Sequence, residues 1–165
     1  MWCSRAPHTL SRRAALFGAL SLSAACGFRP VYGPDGPATR LSGQVAIEAP
    51  ATDAGFELRN RLIDRLGPAE APAYLLQVEI AVEDAAVAVT TEQETTRYNL
   101  PGTARYRLTR LVDGALLAEG QVQSFASYSA TGSTVSTATA ADDALSRLAL
   151  GLADLIFRQL LAVPV

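Results

Sequence analysis

The chain has 165 residues, 49% of them hydrophobic, with 14 basic and 16 acidic side chains and a net charge of −2. That length suits one domain with a real core, and no clustered basic excess points to nucleic acid as a partner. There is no lysine, His8 is the sole histidine, and the two cysteines are Cys3 and Cys26, which leaves little for nucleophilic or zinc chemistry downstream of Cys26.

The N-terminal segment carries Arg5, Arg12 and Arg13 without an acid, then an uncharged stretch from Ala14 to Ala25 that ends at Cys26. A basic start, a short apolar run and small residues before a cleavage point make a secretory signal. The run of 12 residues is short of the roughly 20 needed to span a bilayer, so an uncleaved anchor is disfavoured. A cysteine directly after Ala24-Ala25 resembles a bacterial lipoprotein signal, in which that cysteine is lipidated and becomes the first residue. The alternative is an ordinary signal peptide cut near Ala25. Ser11-Arg12-Arg13 also hints at twin-arginine export. Removing residues 1–25 leaves 140 residues with 11 Arg and 16 acids. Cys26 is then the only thiol, so no intramolecular disulfide is available and packing alone must hold the fold.

Residues 26–42 hold prolines and glycines at a density that argues against regular structure, and read as a tether from the lipidated end to a domain over 43–165. Gln44–Ile47 is a short strand ended by Pro50. Asp53 is placed to cap a helix over Ala54–Leu66. Phe56, Leu62, Ile63 and Leu66 form its apolar stripe, Glu57 and Arg61 an i,i+4 pair, and Gly67-Pro68 its stop. Tyr74–Glu83 alternates, with Leu76, Val78, Ile80 and Val82 on one side and Gln77, Glu79, Ala81 and Glu83 on the other. Ala85–Thr90 extends that strand and Thr90–Thr96 reads as a loop. Tyr98 and Thr103–Val112 supply the next strand, with Ala104, Tyr106 and Leu108 on the buried side. Asp113-Gly114 is a hairpin turn, followed by a strand from Leu116 to about Tyr128 with Gln121 and Gln123 outward. Ala130–Thr139 is open between loop and early helix. Ala140–Leu161 is helical, with Leu145, Leu148, Leu152, Leu155 and Ile156 as its stripe, Asp142 and Asp143 in its N-terminal half and Arg158 in its last turn.

The expected fold is α+β: a two-layer sandwich of a mainly four-stranded antiparallel sheet with two helices on one face, in the order β-α-β-β-β-α. The other sheet face is polar and free. No cofactor or metal site is expected. The acid pairs Glu83-Asp84, Glu92/Glu94 and Asp142-Asp143 leave carboxylate hydrolysis as a minor alternative, since paired acids work only when their pKa values are pushed apart.

Three stretches resemble the LPS-assembly lipoprotein family LptE: Cys26-Gly27-Phe28-Arg29-Pro30-Val31-Tyr32-Gly33; Arg97-Tyr98-Asn99-Leu100 with Gly102-Thr103-Ala104-Arg105-Tyr106-Arg107-Leu108; and Ala140-Ala141-Asp142-Asp143-Ala144 with Arg147-Leu148-Ala149 and Leu152-Ala153-Asp154-Leu155-Ile156. The resemblance implies a non-enzymatic outer-membrane protein, lipid-anchored at the periplasmic leaflet. It further implies a plug and assembly factor of the β-barrel LptD, helping deliver lipopolysaccharide to the cell surface. Arg97, Arg105 and Arg107 are candidate contacts to lipopolysaccharide phosphates, for which the guanidinium fork is suited; the plainer reading pairs them with acids such as Glu79 or Glu119. Tyr98 either inserts into an acyl environment or completes the core. An auxiliary lipoprotein of a lipid ABC transport system and a periplasmic ligand-binding module remain as alternatives.

Overall fold

The computed structural model describes residues 36–83, 86–89, 95–130 and 133–163. Cys26, most of the tether, Asp84 and most of the 90–96 loop, including Glu92 and Glu94, lie outside them. Regular structure begins within the stretch read as irregular, with a short helix α1 (Pro37–Leu41). Proline suits its first turn, where a backbone N–H has no helical partner anyway, and Leu41 is fully buried.

Strand β1 (Val45–Glu48) leads into helix α2 (Asp53–Leu66). The cap is Thr52 rather than Asp53: the Thr52 hydroxyl accepts from the Gly55 N–H at 3.1 Å, and Asp53 falls in the first turn, where the helix dipole favours an acid. Leu58, Leu62 and Leu66 form the buried stripe with Ala54, and Phe56 is 60% exposed. The stripe explains this correction. Phe56 stands two residues from Leu58, about 200° around the helix, and so on its far side.

The remaining elements are β2 (Tyr74–Val82), β3 (Ala86–Val89), β4 (Thr95–Arg110), β5 (Leu116–Ser129) and α3 (Thr134–Leu160). The fold is the expected α+β sandwich, with a sheet of five strands rather than four. One pair departs from the antiparallel pattern: β1 runs parallel to β2, Val45 opposite Tyr74 and Glu48 opposite Gln77. Helix α2 is the crossover that makes this geometry available.

Strand β4 is continuous through Pro101-Gly102, with β5 along one edge and β2 then β3 along the other. Val82 faces Gly102 and Ala86 faces Asn99, so β3 continues the line of β2 after a one-residue slip. The Pro101 carbonyl accepts from the Glu83 N–H at 3.0 Å. In an antiparallel strand a residue's N–H and C=O point to the same side, so the N–H that proline lacks falls at the break between β2 and β3, where an interior proline is tolerated.

The β4–β5 turn is longer than two residues. Arg110 N–H donates to the Ala115 carbonyl and Gly114 N–H to the Arg110 carbonyl, both at 2.9 Å. Gly114 takes φ +68°, and Leu111 and Val112 belong to the loop rather than the strand.

Both long helices cover the same sheet face. Leu76, Val78, Ala104, Tyr106, Leu108, Val122 and Ala126 are buried beneath them, as the alternation of β2 and β4 requires. Helix α3 starts at Thr134, capped by Ser133, whose hydroxyl accepts from the Ser136 N–H at 3.3 Å. Asp142 and Asp143 therefore lie beyond its first turns, and its buried residues begin only at Ala144. Leu148, Leu152 and Ile156 are fully buried, while Leu145 and Leu155 pack at the margin.

Candidate functional site

The sheet face without helices carries the polar residues of the same strands. Two cross-strand rows organise it. Glu48, Gln77, Arg107 and Glu119 stand side by side on β1, β2, β4 and β5, and Glu79, Arg105 and Gln121 form the next row. Gln77 Nε2 donates to Glu48 Oε2 at 3.1 Å, and Arg105 Nε donates to Gln121 Oε1 at 3.2 Å. Arg107 Nη2 lies 3.5 Å from Glu119 Oε2, with both side chains 60% exposed. Ala49 and Pro50 wall one side, and the whole forms an open groove of about 770 Å³.

Behind the groove, Gly120 makes room for Tyr106. A Cβ there would stand 2.8 Å from the Tyr106 hydroxyl and 3.0 Å from its ring. Glycine lets the Tyr106 side chain lie across β5 on the helix side, and burial pushes the phenol's pKa above its ordinary value. The groove can exchange partners at low cost. Exposed ion pairs contribute about 0–1 kcal/mol, so displacing Glu119 from Arg107 would cost little.

The structure brings Arg105 and Arg107 together in this groove. Arg97 is exposed on the same strand, opposite Ser129, and eight residues of strand put it about 26 Å from Arg105. Around it, Tyr98 and Tyr128 stack with ring centroids 5.1 Å apart and planes 11° from parallel, and the Ser127 hydroxyl donates to Asn99 Oδ1 at 2.8 Å. Tyr98 is half-buried there. Between the two arginine positions, a smaller recess of about 340 Å³ is bordered by Glu83, Pro101, Gln123 and Phe125, and Phe125 is 72% exposed.

A second polar cluster joins the helices. Arg61 grips Asp154 with a fork, Nε to Oδ1 at 3.1 Å and Nη2 to Oδ2 at 3.0 Å, and Arg65 Nε adds a bond to Oδ1 at 3.1 Å. Arg61 thus reaches across to α3; the Glu57–Arg61 pair expected within α2 is not what holds it. The Arg65 guanidinium also lies 5.8 Å from the Phe157 ring centroid. The hydrogen bond from Arg61 leads in holding the Asp154 carboxyl below the usual carboxylate range, against the opposing effect of burial. Asp113 is likewise lowered, chiefly by the Ala115 N–H. A general acid needs the opposite shift. Among the described residues, no cluster of three or more His, Cys, Asp or Glu side chains is placed to hold a metal.

Glu48 and Phe125 are not among the residues the sequence marks as candidates. Odd-numbered residues of β5 face outward with Gln121, so the alternation itself flags Phe125; Glu48 joins the groove only through the β1–β2 register. The Asp154 clamp had no sequence signal, since its partners are 93 and 89 residues away.

What these elements define is a two-layer α+β domain with one sheet face covered by helices and the other left open and polar. The family model for LptE, lipopolysaccharide-assembly, matches residues 42–160. The chain belongs to that family, whose members are outer-membrane-associated, non-enzymatic assembly lipoproteins with a role in lipopolysaccharide transport or assembly. Among solved structures, a lipoprotein of Caulobacter crescentus CB15 is similar at 21% identity, covering 76% of this chain and 92% of its own, with a TM-score of 0.62. A minor lipoprotein of Acinetobacter baumannii is similar at 19% identity, 74% and 94% coverage and a TM-score of 0.56. Rare lipoprotein B of Shewanella oneidensis is similar at 11% identity, 70% and 90% coverage and a TM-score of 0.53. At these identities the likeness is one of fold. No curated protein matches the chain. Among the described residues, no helix is long and apolar enough to cross a membrane.

Proposed function

We propose that this protein is an outer-membrane lipoprotein, anchored through lipid on Cys26 at the periplasmic leaflet, that plugs the LptD β-barrel and assists its assembly for delivery of lipopolysaccharide to the cell surface. The family match over residues 42–160 carries this reading. The sequence before Cys26 supports the anchor, and the open polar sheet face supplies a surface for a partner without first unfolding anything. Arg105 and Arg107 are the contacts proposed for lipopolysaccharide phosphates within the groove, and Arg97 a separate contact at the far end of β4.

The decisive test is co-purification of the barrel from outer membranes of cells with and without this protein. The proposal expects the barrel to be recovered with it and to lose assembly or activity in its absence. A barrel that assembles and works normally without it sinks the plug role. A mass spectrum of the mature N-terminus tests the anchor separately: acyl mass on Cys26 is expected, and a free N-terminus near residue 26 defeats it.

A further inference from the structure

The open face changes character along its strands. After the two arginine rows comes a row of Ala81, Thr103 and Gln123, and then Pro101 opposite Phe125. Short side chains at Ala81 and Thr103 lower the floor here, and the recess of about 340 Å³ opens beside Glu83, Thr103, Pro101, Gln123 and Phe125. Among the described residues, Phe125 is the one exposed aromatic side chain on this face. The register sets a second ring beside it. Pro101 has no N–H, and its carbonyl accepts from the Glu83 N–H, so it exchanges no backbone bond with Phe125. Antiparallel pairs of that kind are the closer ones, about 4.5 Å between Cα atoms. The Phe125 and Pro101 rings therefore rise side by side on the open face as one apolar patch.

A lone exposed apolar side chain is ordinary, but this patch is ringed by hydrogen-bonding groups. The Glu83 carboxylate, the Thr103 hydroxyl and the Gln123 amide border it. Among the described residues, none of these three side chains is engaged in a hydrogen bond or ion pair, whereas Arg105 and Arg107 are held by Gln121 and Glu119. A flat apolar patch with free donors and acceptors around it matches a sugar ring. A pyranose turns a plane of weakly positive C–H groups toward the negative face of an aromatic ring. Its hydroxyls both donate and accept at the rim, as a carboxylate, an amide and a hydroxyl require. An acyl chain would instead cover those polar groups without pairing them, and a bare phosphate would meet the Glu83 charge. The volume falls at the small end of ligand sites, which run from roughly 300 to 1,000 Å³.

We infer that this recess is a saccharide subsite, in which a pyranose ring lies against Phe125 and Pro101 and shares its hydroxyls among Glu83, Thr103 and Gln123. Arg105 stands opposite Gln121, four residues of strand from Phe125, or about 13 Å. A phosphorylated disaccharide covers that span, so the arginine pair takes the phosphate and the recess takes the sugar of one molecule. The arginines attract any anion, and the stacking face selects those that carry a sugar. That the molecule is lipopolysaccharide rests on the function proposed above; that the recess takes a sugar ring does not.

The experiment measures binding to residues 26–165 of three soluble probes: fully deacylated lipopolysaccharide, the same oligosaccharide stripped of its phosphates, and a muramyl disaccharide-peptide from peptidoglycan. Trp2 is the only tryptophan and precedes Cys26, so Phe125→Trp places a sole emitter in the recess while keeping a stacking face. Its emission is expected to shift with both oligosaccharides. Phe125→Leu keeps apolar bulk without the aromatic face. It is expected to lower affinity for both oligosaccharides by the same factor, about five- to tenfold, with an unchanged far-UV CD spectrum, and Phe125→Trp restores binding. Native affinity in Phe125→Leu, or an emission from Phe125→Trp that neither oligosaccharide moves, overturns the inference. Native saccharide affinity in Phe125→Leu together with lost recovery of the barrel overturns it too, because the ring then meets protein. A response to the muramyl disaccharide alone, with the same dependence on Phe125, keeps the saccharide subsite and defeats lipopolysaccharide as its source.

Discussion

On its helix side the sheet presents Leu76, Val78, Ala104, Leu108, Val122 and Ala126, all buried. One residue along the same strands, its other side presents Gln77, Glu79, Arg105, Arg107, Glu119 and Gln121, facing an open groove. The backbone hydrogen bonds are shared, so the two faces differ in what their side chains contribute. The covered face holds the fold through burial and close packing. The open face is joined by exposed bonds such as Arg107–Glu119, which contribute little to stability and leave the side chains available to a partner. Stability and recognition are thereby separated by the two-residue period of the strand.

The strongest way to break this contrast is to damage the covered face. Leu152 is fully buried between α3 and the rest of the core, and Leu152→Ala is expected to cost about 3 kcal/mol through lost burial and a residual cavity. Thermal or urea unfolding of the mature chain measures it. Gly120→Ala probes the seam between the faces. Its new methyl would stand 2.8 Å from the Tyr106 hydroxyl and 3.0 Å from its ring, and overpacking of this kind costs about 1–3 kcal/mol. A cost below that of any open-face substitution would show that Tyr106 moves aside freely.

The Asp154 clamp lies between these extremes, partly buried and charged. Asp154→Asn removes the negative charge and one of the two oxygens that accept from Arg61 and Arg65, and is expected to cost about 1 kcal/mol. The sign of its pH dependence follows from the lowered carboxyl. The contribution is fully present above the unfolded-state value, near the ordinary 3.8, and is lost as pH falls through the still lower folded-state value. The native chain should therefore lose stability relative to Asp154→Asn below about pH 4. Parallel stability profiles of the two proteins across that range would refute the linkage.

The period-two pattern made much of this legible. Alternation assigns Leu76, Val78, Ala104, Tyr106 and Leu108 to the covered side, and Gln121 and Gln123 outward, because it is a local property. The helix stripe was legible at Leu62, Leu66, Leu148, Leu152 and Ile156 for the same reason. Phe56 departs from the expectation because its hydrophobicity is at odds with its helical phase, which puts it opposite Leu58. Thr52 and Asp53 are both good caps, and only the backbone conformation at Thr52 distinguishes them. The parallel β1–β2 pairing, the one-residue slip in register between β2 and β3 against β4, and the Arg61–Asp154 fork depend on distant partners, which no local pattern encodes. For the same reason three arginines of similar context in sequence divide into a pair within one groove and a third about 26 Å away.

The smallest stability effect is expected where the effect on recognition is expected to be largest. Charge reversal at Arg105 and Arg107 would weaken binding to phosphates, but it would also set new acids beside Glu79 and Glu119, which stand directly opposite in register. Like charges across a strand pair are destabilising, so a loss of binding could arise from the fold. Arg105→Gln with Arg107→Gln avoids this: it keeps a donor toward Gln121 and Glu119 and removes only the positive charge. Stability should stay within about 0.5 kcal/mol of the native chain, while affinity for lipopolysaccharide falls and its salt dependence weakens, because fewer phosphate contacts remain to be screened. Native affinity in the double variant, measured at low salt on folded protein, would remove the groove arginines from lipopolysaccharide recognition. The same substitution at Arg97 sharpens the result, because a loss confined to that variant would move the contact to the far end of β4.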